Sequence, residues 1–300
     1  MKTLVVCGAT ASGKTDLSVE MAERIGAEVV SADCMLVYKR LDIGTAKPAI
    51  EEMRGVPHHM IDVVEPNQKY SVSDYEHGAE EVLARLEKNR IPAVICGGTG
   101  FYIQSVLFRR TLGGVSSDAA IRLKYETIAK EQGNAALFEI LKERDAESAE
   151  RLHPNDVKRV VRALEIFDLT GKRKSEQRDG FQPKREYVAV AYRYPRGELY
   201  ARIERRVDFM LERGLVDEVR SLLLSGVDKN AQCMQGIGYK EVIEFLENKI
   251  SYSTMSDKIK QNTRNYAKRQ ITFFKKLPGL IWVDPHEKQV AERIEELITE

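Results

Sequence analysis

The sequence predicts an α/β fold, a parallel sheet core flanked by helices and interrupted by an all-helical insertion domain. Three observations carry this prediction. Five short apolar runs are separated by stretches of helical period. The first run ends in a glycine-bearing turn that opens a helix. Residues 117–174 carry helical patterns and no strand pattern. Strands that alternate with helices form a parallel sheet covered on both faces, so each strand reads as a continuous apolar run.

In chain order, strands are expected at Thr3–Cys7, Glu28–Ser31, 92–96, Tyr187–Tyr192 and Leu280–Val283. Helices are expected over Lys14–Ile25 and 75–89, between the first three strands. In the middle block Val157, Val160, Val161, Leu164 and Phe167 recur at helical spacing, and Thr170-Gly171 reads as the stop of that helix. Gly113-Gly114 and Asp179-Gly180 read as the two hinges of the insertion. The expected division is a core of residues 1–114 and 184–300 around a helical domain of residues 115–183. After Tyr194, the residues Leu199, Ile203, Val207, Met210, Leu211 and Val219 form one helical stripe, with Arg202, Arg206 and Arg213 on one side of it.

Composition narrows the classes. The chain has 300 residues, 43% hydrophobic and 31% charged, with a net charge of +1, an ordinary globular balance. No uncharged apolar run reaches the roughly 18 residues of a membrane span. The run after Met1-Lys2 breaks at Gly8, too early for a secretory leader, so a cytoplasmic chain is expected, and a monomer. Cys7, Cys34, Cys96 and Cys233 are far apart with no Cys-x-x-Cys pair, so a zinc site is not expected and small buried residues are. Charge is unevenly placed. Residues 258–276 hold seven Lys/Arg and no acid, and residues 158–174 hold six basic against two acidic. Each patch is either a phosphate-binding surface or a solvated helix face.

Gly8-Ala9-Thr10-Ala11-Ser12-Gly13-Lys14-Thr15 matches the full phosphate-binding loop, G-x-x-x-x-G-K-[ST], between an apolar strand and an amphipathic helix. This predicts a P-loop NTPase-like core. The glycines let the backbone turn tightly, the loop N–H groups and helix N-terminus cradle phosphate oxygens, Lys14 adds a charge, and the Thr15 hydroxyl suits Mg²⁺. The usual second motif, an apolar strand ending in Asp, is only weakly matched by Val29-Val30-Ser31-Ala32-Asp33. Asp33 then lies at the C-terminal edge of the sheet beside the loop, where open α/β sheets bind ligands. Three roles stay open for it: a turn or cap residue, a group near Mg²⁺, or a general base.

The motifs continue with Tyr38, Asp42-Ile43-Gly44-Thr45-Ala46-Lys47-Pro48, Gly55-Val56-Pro57-His58-His59 and Gly97-Gly98-Thr99. Then come His153-Pro154-Asn155-Asp156 with Arg159, Arg162-Ala163-Leu164-Glu165, Gly236-Ile237-Gly238-Tyr239-Lys240-Glu241, Thr263-Arg264 and Tyr266-Ala267-Lys268-Arg269-Gln270. In this order, from Leu4 to Lys275, the chain resembles the tRNA dimethylallyltransferases, also called tRNA isopentenyltransferases. The resemblance implies a reaction. The dimethylallyl group of dimethylallyl diphosphate moves to N6 of adenosine 37, next to the anticodon, in tRNAs reading codons that begin with U, and diphosphate leaves. It also implies that the P-loop holds the donor's diphosphate, with Mg²⁺ as cofactor, and that the insertion contacts tRNA.

By resemblance, Gly8 to Thr15 and Arg206 bind the diphosphate, with Lys14, Thr15 and Arg206 acting in catalysis and Thr15 holding Mg²⁺. Asp33 bonds the N6 group and takes its proton. Asp33, Cys34, Met35, Leu36 and Thr99 meet the target nucleotide. Arg122, Lys158, Arg159, Arg162, Lys240, Lys268 and Arg269 hold the tRNA, whose base must leave the anticodon-loop stack. Read from the residues alone, Arg206 is equally a solvated helix residue, Gly97-Gly98 a strand-end turn, and His58-His59 packing or hydrogen-bonding residues. Two positions depart from the family pattern. Cys34 stands where Ser is usual and bonds more weakly, and Phe273 stands where Trp is usual, keeping a stacking surface without the N–H donor. The chain ends soon after the family core, without the zinc-finger extension of eukaryotic members, so a bacterial-type enzyme is expected.

Three rival classes remain at the level of sequence. A small-molecule P-loop kinase explains Gly8 to Thr15 but not the basic segments. A relative that prenylates free adenine nucleotides shares the core without needing them. A non-catalytic RNA-binding protein has no use for Lys14, Thr15 and Asp33 together.

Overall fold

The computed structural model describes residues 2–109, 115, 117–177 and 180–299. The elements run β1 (Thr3–Cys7), α1 (Lys14–Ile25), β2 (Glu28–Ser31), β3 (His58–His59), α2 (Val72–Lys88), β4 (Ala93–Gly97) and α3 (Gly100–Leu107). They continue with α4 (Ala119–Gln132), α5 (Asn134–Arg144), α6 (Ala146–Arg151), α7 (Val157–Thr170), β5 (Tyr187–Tyr192), α8 (Arg196–Glu212) and α9 (Leu215–Leu224). The last are α10 (Tyr239–Leu246), α11 (Tyr252–Phe274), β6 (Leu280–Val283) and α12 (Val290–Thr299). By contacts the chain divides into Met1–Phe108 with Pro183–Glu300, and Arg109–Gln182. Gly113-Gly114 and Asp179, read as hinge residues, lie outside the described residues.

The first unit is a six-stranded sheet in the order β3-β2-β4-β1-β5-β6, every pairing parallel. β1 lies in the middle because both of its faces are apolar. Leu4 and Val6 pack with Val19 and Met21 of α1 and Ile294 and Ile298 of α12. Val5 and Cys7 pack on the opposite side with Ile103 and Val106 of α3 and Leu83 of α2. The period of two thus gives each face of the sheet its own dry layer. Five strands fall where the apolar runs place them, the third shifted by one residue. The sixth, β3, was not expected. It has two residues, and a pattern of period two cannot be read from two residues. His59 there contacts Glu28 through Nε2 at 2.5 Å, and His58 Nδ1 lies 2.8 Å from the Val56 carbonyl, so this pair serves packing and hydrogen bonding.

One expectation is corrected. The stripe from Leu199 to Val219 is not one helix: α8 ends at Glu212, Gly214 turns at φ 95°, and α9 begins at Leu215. Arg213 caps the end of α8, and its guanidinium lies 5.4 Å from the Phe209 ring.

The second unit packs α4, α5 and α7 around Tyr125, Leu137, Leu141, Val160 and Leu164. The Asp118 side chain caps α4, and Gly171 in the left-handed region ends α7 where the Thr170-Gly171 stop was expected. Glu165 is fully buried. Its carboxylate accepts from Arg122 Nε at 2.8 Å, Arg162 Nη1 at 2.5 Å and the Asp118 N–H at 2.7 Å. Burial pushes this carboxyl up, and the bonds from Arg122 and Arg162 outweigh it, leaving it below the usual carboxylate range.

Candidate functional site

The P-loop follows β1 and wraps the start of α1. Gly8 at φ 128° and Gly13 at φ 83° occupy conformations that a side chain disfavours, which is why glycine stands at both ends of the turn. Ser12 Oγ donates to the Ala9 carbonyl at 2.9 Å, and Lys14 Nζ donates to the same carbonyl at 2.6 Å. Ala9 and Ala11 rest on Leu199 and Ile203 of α8 and Ala267 of α11, so the loop is backed by apolar packing.

In front of the loop lies a cavity of about 410 Å³. One wall is Ala11 to Asp16, the second is Arg202, Arg205 and Arg206 of α8, and the third is Ala46, Pro48 and Glu52. Arg205 and Arg206 each follow Arg202 by about one helical turn, so a helix laid across the loop presents a group of cations to whatever the loop holds. Arg202 Nε also donates to the Ala11 carbonyl at 2.8 Å, and its guanidinium lies 4.8 Å from the Tyr194 ring. Arg206 Nη2 donates to the Thr45 carbonyl at 3.4 Å. The third wall is held by Glu218 of α9, whose carboxylate accepts from the N–H groups of Asp42, Ile43 and Gly44 and from the Tyr239 hydroxyl. A Cβ on Gly44 would stand 2.5 Å from the Tyr239 ring, so the motif around Asp42 and the one around Tyr239 are two halves of one packing.

Asp33 sits in the turn after β2. Its Oδ1 accepts from the Met35 N–H at 2.9 Å, the bond of a turn residue, and among the described residues no hydrogen bond engages its second oxygen. Asp33 interacts electrostatically with Lys14, Arg206 and Tyr266. The turn is stitched to the one after β4. The Ala32 N–H donates to the Cys96 carbonyl at 2.7 Å, the Thr99 N–H to the Ala32 carbonyl at 3.1 Å, and the Cys34 N–H to Thr99 Oγ1 at 2.9 Å. A Cβ on Gly97 would lie 2.1 Å from the Ala32 oxygen, so this approach needs glycine there. Gln270 of α11 clamps the ensemble: Nε2 donates to the Gly98 carbonyl at 3.0 Å, and Oε1 accepts from the Thr10 N–H at 2.8 Å. One buried side chain thereby fixes the P-loop against the Thr99 turn.

Burial lowers the pKa of Lys14, and the charge of Arg206 lowers it further, while Asp33 and two cysteines work the other way. Burial likewise lowers Arg206. A dianion entering the cavity would reverse this, so anion binding above the depressed Lys14 pKa takes up a proton. Diphosphate affinity is therefore expected to weaken as pH rises, beginning below the ordinary lysine range. Titration calorimetry across alkaline pH measures it, and a Kd flat to the ordinary lysine pKa would contradict it. Burial pushes the Cys34 thiol up to about 11, so it stays protonated and inert.

Among the described residues no group of three or more His, Cys, Asp or Glu could hold a metal. The exposed Thr15 lines the cavity beside Asp16. That donor set fits magnesium, which keeps waters and is bound through one or two protein oxygens plus substrate phosphates.

The residues read as RNA-facing divide. Cys34, Met35, Leu36 and Thr99 are half-buried around Asp33, and Met35 packs on Gly236. Lys268 and Arg269 are exposed on α11. Lys240 Nζ lies 3.5 Å from Glu241 Oε1 on α10. In the second unit Lys158 and Arg159 are exposed, Arg159 paired with Asp156 at 3.0 Å, while Arg122 and Arg162 are engaged by Glu165. Arg202, Arg205, Gln270 and Tyr266 were not singled out for the site. The helical spacing of Arg202 and Arg206 was a signal for the first, and for Gln270 and Tyr266 the signal was their place in the motif Tyr266-Ala267-Lys268-Arg269-Gln270.

Two family models match, "IPP transferase" over residues 36–277 and "Isopentenyl transferase" over residues 1–68. A tRNA dimethylallyltransferase of Caldanaerobacter subterraneus subsp. tengcongensis is 42% identical, covering 100% of this chain and 97% of its own length. One from Bacillus licheniformis is 43% identical over 94% and 90%. Among solved structures, the full-length tRNA isopentenylpyrophosphate transferase of Bacillus halodurans aligns with TM-score 0.74 at 37% identity, covering 99% of this chain and 94% of that one. A eukaryotic dimethylallyltransferase acting on tRNA aligns with TM-score 0.84 at 27% identity, over 99% and 79%. Among the described residues no helix is long and apolar enough to cross a membrane.

Proposed function

This chain belongs to the IPP transferase family of tRNA dimethylallyltransferases, and on that premise we propose how its cavity carries out the transfer. The substrates are dimethylallyl diphosphate and a tRNA. The dimethylallyl group passes to N6 of adenosine 37, in tRNAs reading codons that begin with U, and diphosphate is released. The observation that carries the site assignment is the facing of the P-loop and the α8 arginines across one cavity.

As the prenyl carbon–oxygen bond breaks, negative charge grows on the bridging oxygen. Lys14, Arg206 and the N–H groups at the start of α1 are the donors available to meet it, and preorganised donors act most strongly on charge that develops late. The Thr15 hydroxyl would hold magnesium, which would supply further neutralising charge. The adenine amine is a weak nucleophile because its lone pair is delocalised into the ring. Asp33 accepts a hydrogen bond from this amine and removes its proton as the carbon–nitrogen bond forms. Thr99 and Cys34 border the same turn and position the base.

Label transfer tests the reading. Dimethylallyl diphosphate labelled in the prenyl group is incubated with enzyme and tRNA, AMP or ATP. Label in tRNA alone is expected. Label in free nucleotide instead would assign the chain to nucleotide prenylation, and ATP hydrolysis without transfer would make it a kinase-like enzyme.

The exposed cations of α11 give a second expectation. Removing the charges of Lys268 and Arg269 should weaken tRNA binding and flatten its salt dependence, since each lost phosphate contact removes a slope of about 0.7 on a single strand or 0.9 on a duplex. Affinity for the prenyl diphosphate should hardly change. An unchanged salt slope would make this surface a solvated helix face.

A further inference from the structure

The turn that carries Thr99 runs directly into α3, and α3 is buried except at its start: Tyr102 to Leu107 are all inside, while Phe101 is 54% exposed. Its ring is nevertheless held. It stands edge-on to Phe273 of α11, centroids 5.2 Å apart at 67°, and Phe273 stands edge-on to the fully buried Phe274 at 5.8 Å and 81°. A Cβ on Gly100 would lie 2.1 Å from the Phe273 ring, so the glycine makes room for this ladder of three rings. Tyr266 and Arg269 precede Phe273 by seven and four residues, on the same face of α11. The Arg269 guanidinium lies 5.7 Å from the Tyr266 ring. Arg269 is exposed and has no acidic partner among the described residues. A fixed, half-open aromatic ring, whose partner Phe273 lies one turn along α11 from an unneutralised cation, is the combination that binds unpaired nucleotides, the cation meeting the backbone and the ring meeting a base.

We propose that Phe101 is a stacking platform for the unpaired base adjacent to the target adenosine. When the adenosine leaves the anticodon-loop stack, its neighbour loses a stacking partner, and the Phe101 ring, two residues from Thr99, replaces it. Flipping is thereby made easier without any contact to the reacting atoms. This inference rests on tRNA being the acceptor, as proposed above.

The test compares wild type, Phe101→Ala, Phe101→Leu and Phe101→Trp on an anticodon stem-loop, with a fluorescent aminopurine in place of the neighbouring base. Stacking on a single aromatic ring contributes on the order of tenfold in affinity. Phe101→Ala should raise the stem-loop KM about tenfold and relieve aminopurine quenching, with donor Kd unchanged. Phe101→Leu should fall between, and Phe101→Trp should restore both readouts. Wild-type KM and quenching in Phe101→Ala or Phe101→Leu, or a KM rise with quenching intact, would overturn the platform. Should Phe101→Ala fail to fold, Phe101→Leu against Phe101→Trp decides. A wild-type enzyme that does not modify the stem-loop or tRNA would fail the acceptor assignment itself, a distinct result.

Discussion

Lys14→Ala is expected to lower kcat by about 10²–10³ at saturating donor, the usual consequence of losing one donor aimed at developing charge. Lys14 leads the helix that opens the cavity, and its ammonium now rests on the Ala9 carbonyl of its own loop. It is thus already folded into the turn that a diphosphate would fill. Part of the loss should be in donor Kd, because Lys14 attracts the ground-state diphosphate as well. The larger part should be in kcat, because the leaving group carries more charge than the bound donor. Arg202 and Arg206 remain in the variant and preserve binding. Rapid-quench rates with saturating dimethylallyl diphosphate measure the chemical step. Near wild-type turnover would make Lys14 a structural residue of the loop.

Asp33→Asn should reduce the single-turnover rate strongly while donor and tRNA affinities stay close to wild type, the pattern of an interaction made mainly in the transition state. Asparagine retains an acceptor for the Met35 N–H, so the turn should survive. It has neither the charge nor the basicity to take the N6 proton. Two other outcomes carry their own signatures. If Asp33 mainly organises magnesium, diphosphate affinity should fall and extra magnesium should restore it in part. If Asp33 is only a turn residue, the variant should lose about 0.5–2 kcal/mol of stability with normal chemistry in the folded fraction. An unchanged single-turnover rate would remove the base assignment.

Much of the scaffold was legible because its signals are local. The strands are apolar runs of four to six residues, the P-loop is a fixed spacing of glycines, and the Thr170-Gly171 stop needs only a residue that tolerates positive φ. What was not legible depends on partners distant in sequence. β3 exists because it pairs with β2, and two residues carry no period. The apolar stripe continues through Gly214, so the break between α8 and α9 is invisible to periodicity although the glycine marks it. Basic character alone could not separate Arg122 and Arg162, drawn to a buried Glu165, from Lys268 and Arg269, which face solvent. The Arg162–Glu165 spacing of three was the available hint. In the site, the loop and Asp33 were readable from motif and strand order, whereas Gln270 was visible only as the last residue of a motif, and its clamp on a loop 260 residues away in sequence was not readable.

The most direct measurement is product analysis of a single turnover, with enzyme saturated by prenyl-labelled dimethylallyl diphosphate and mixed with tRNA. The expected result is label on N6 of the adenosine just 3′ of the anticodon, one diphosphate released per label, and a rate that collapses in both Lys14→Ala and Asp33→Asn. Diphosphate released without label entering tRNA, or label entering tRNA at wild-type rate in both variants, would contradict the assignment of this cavity.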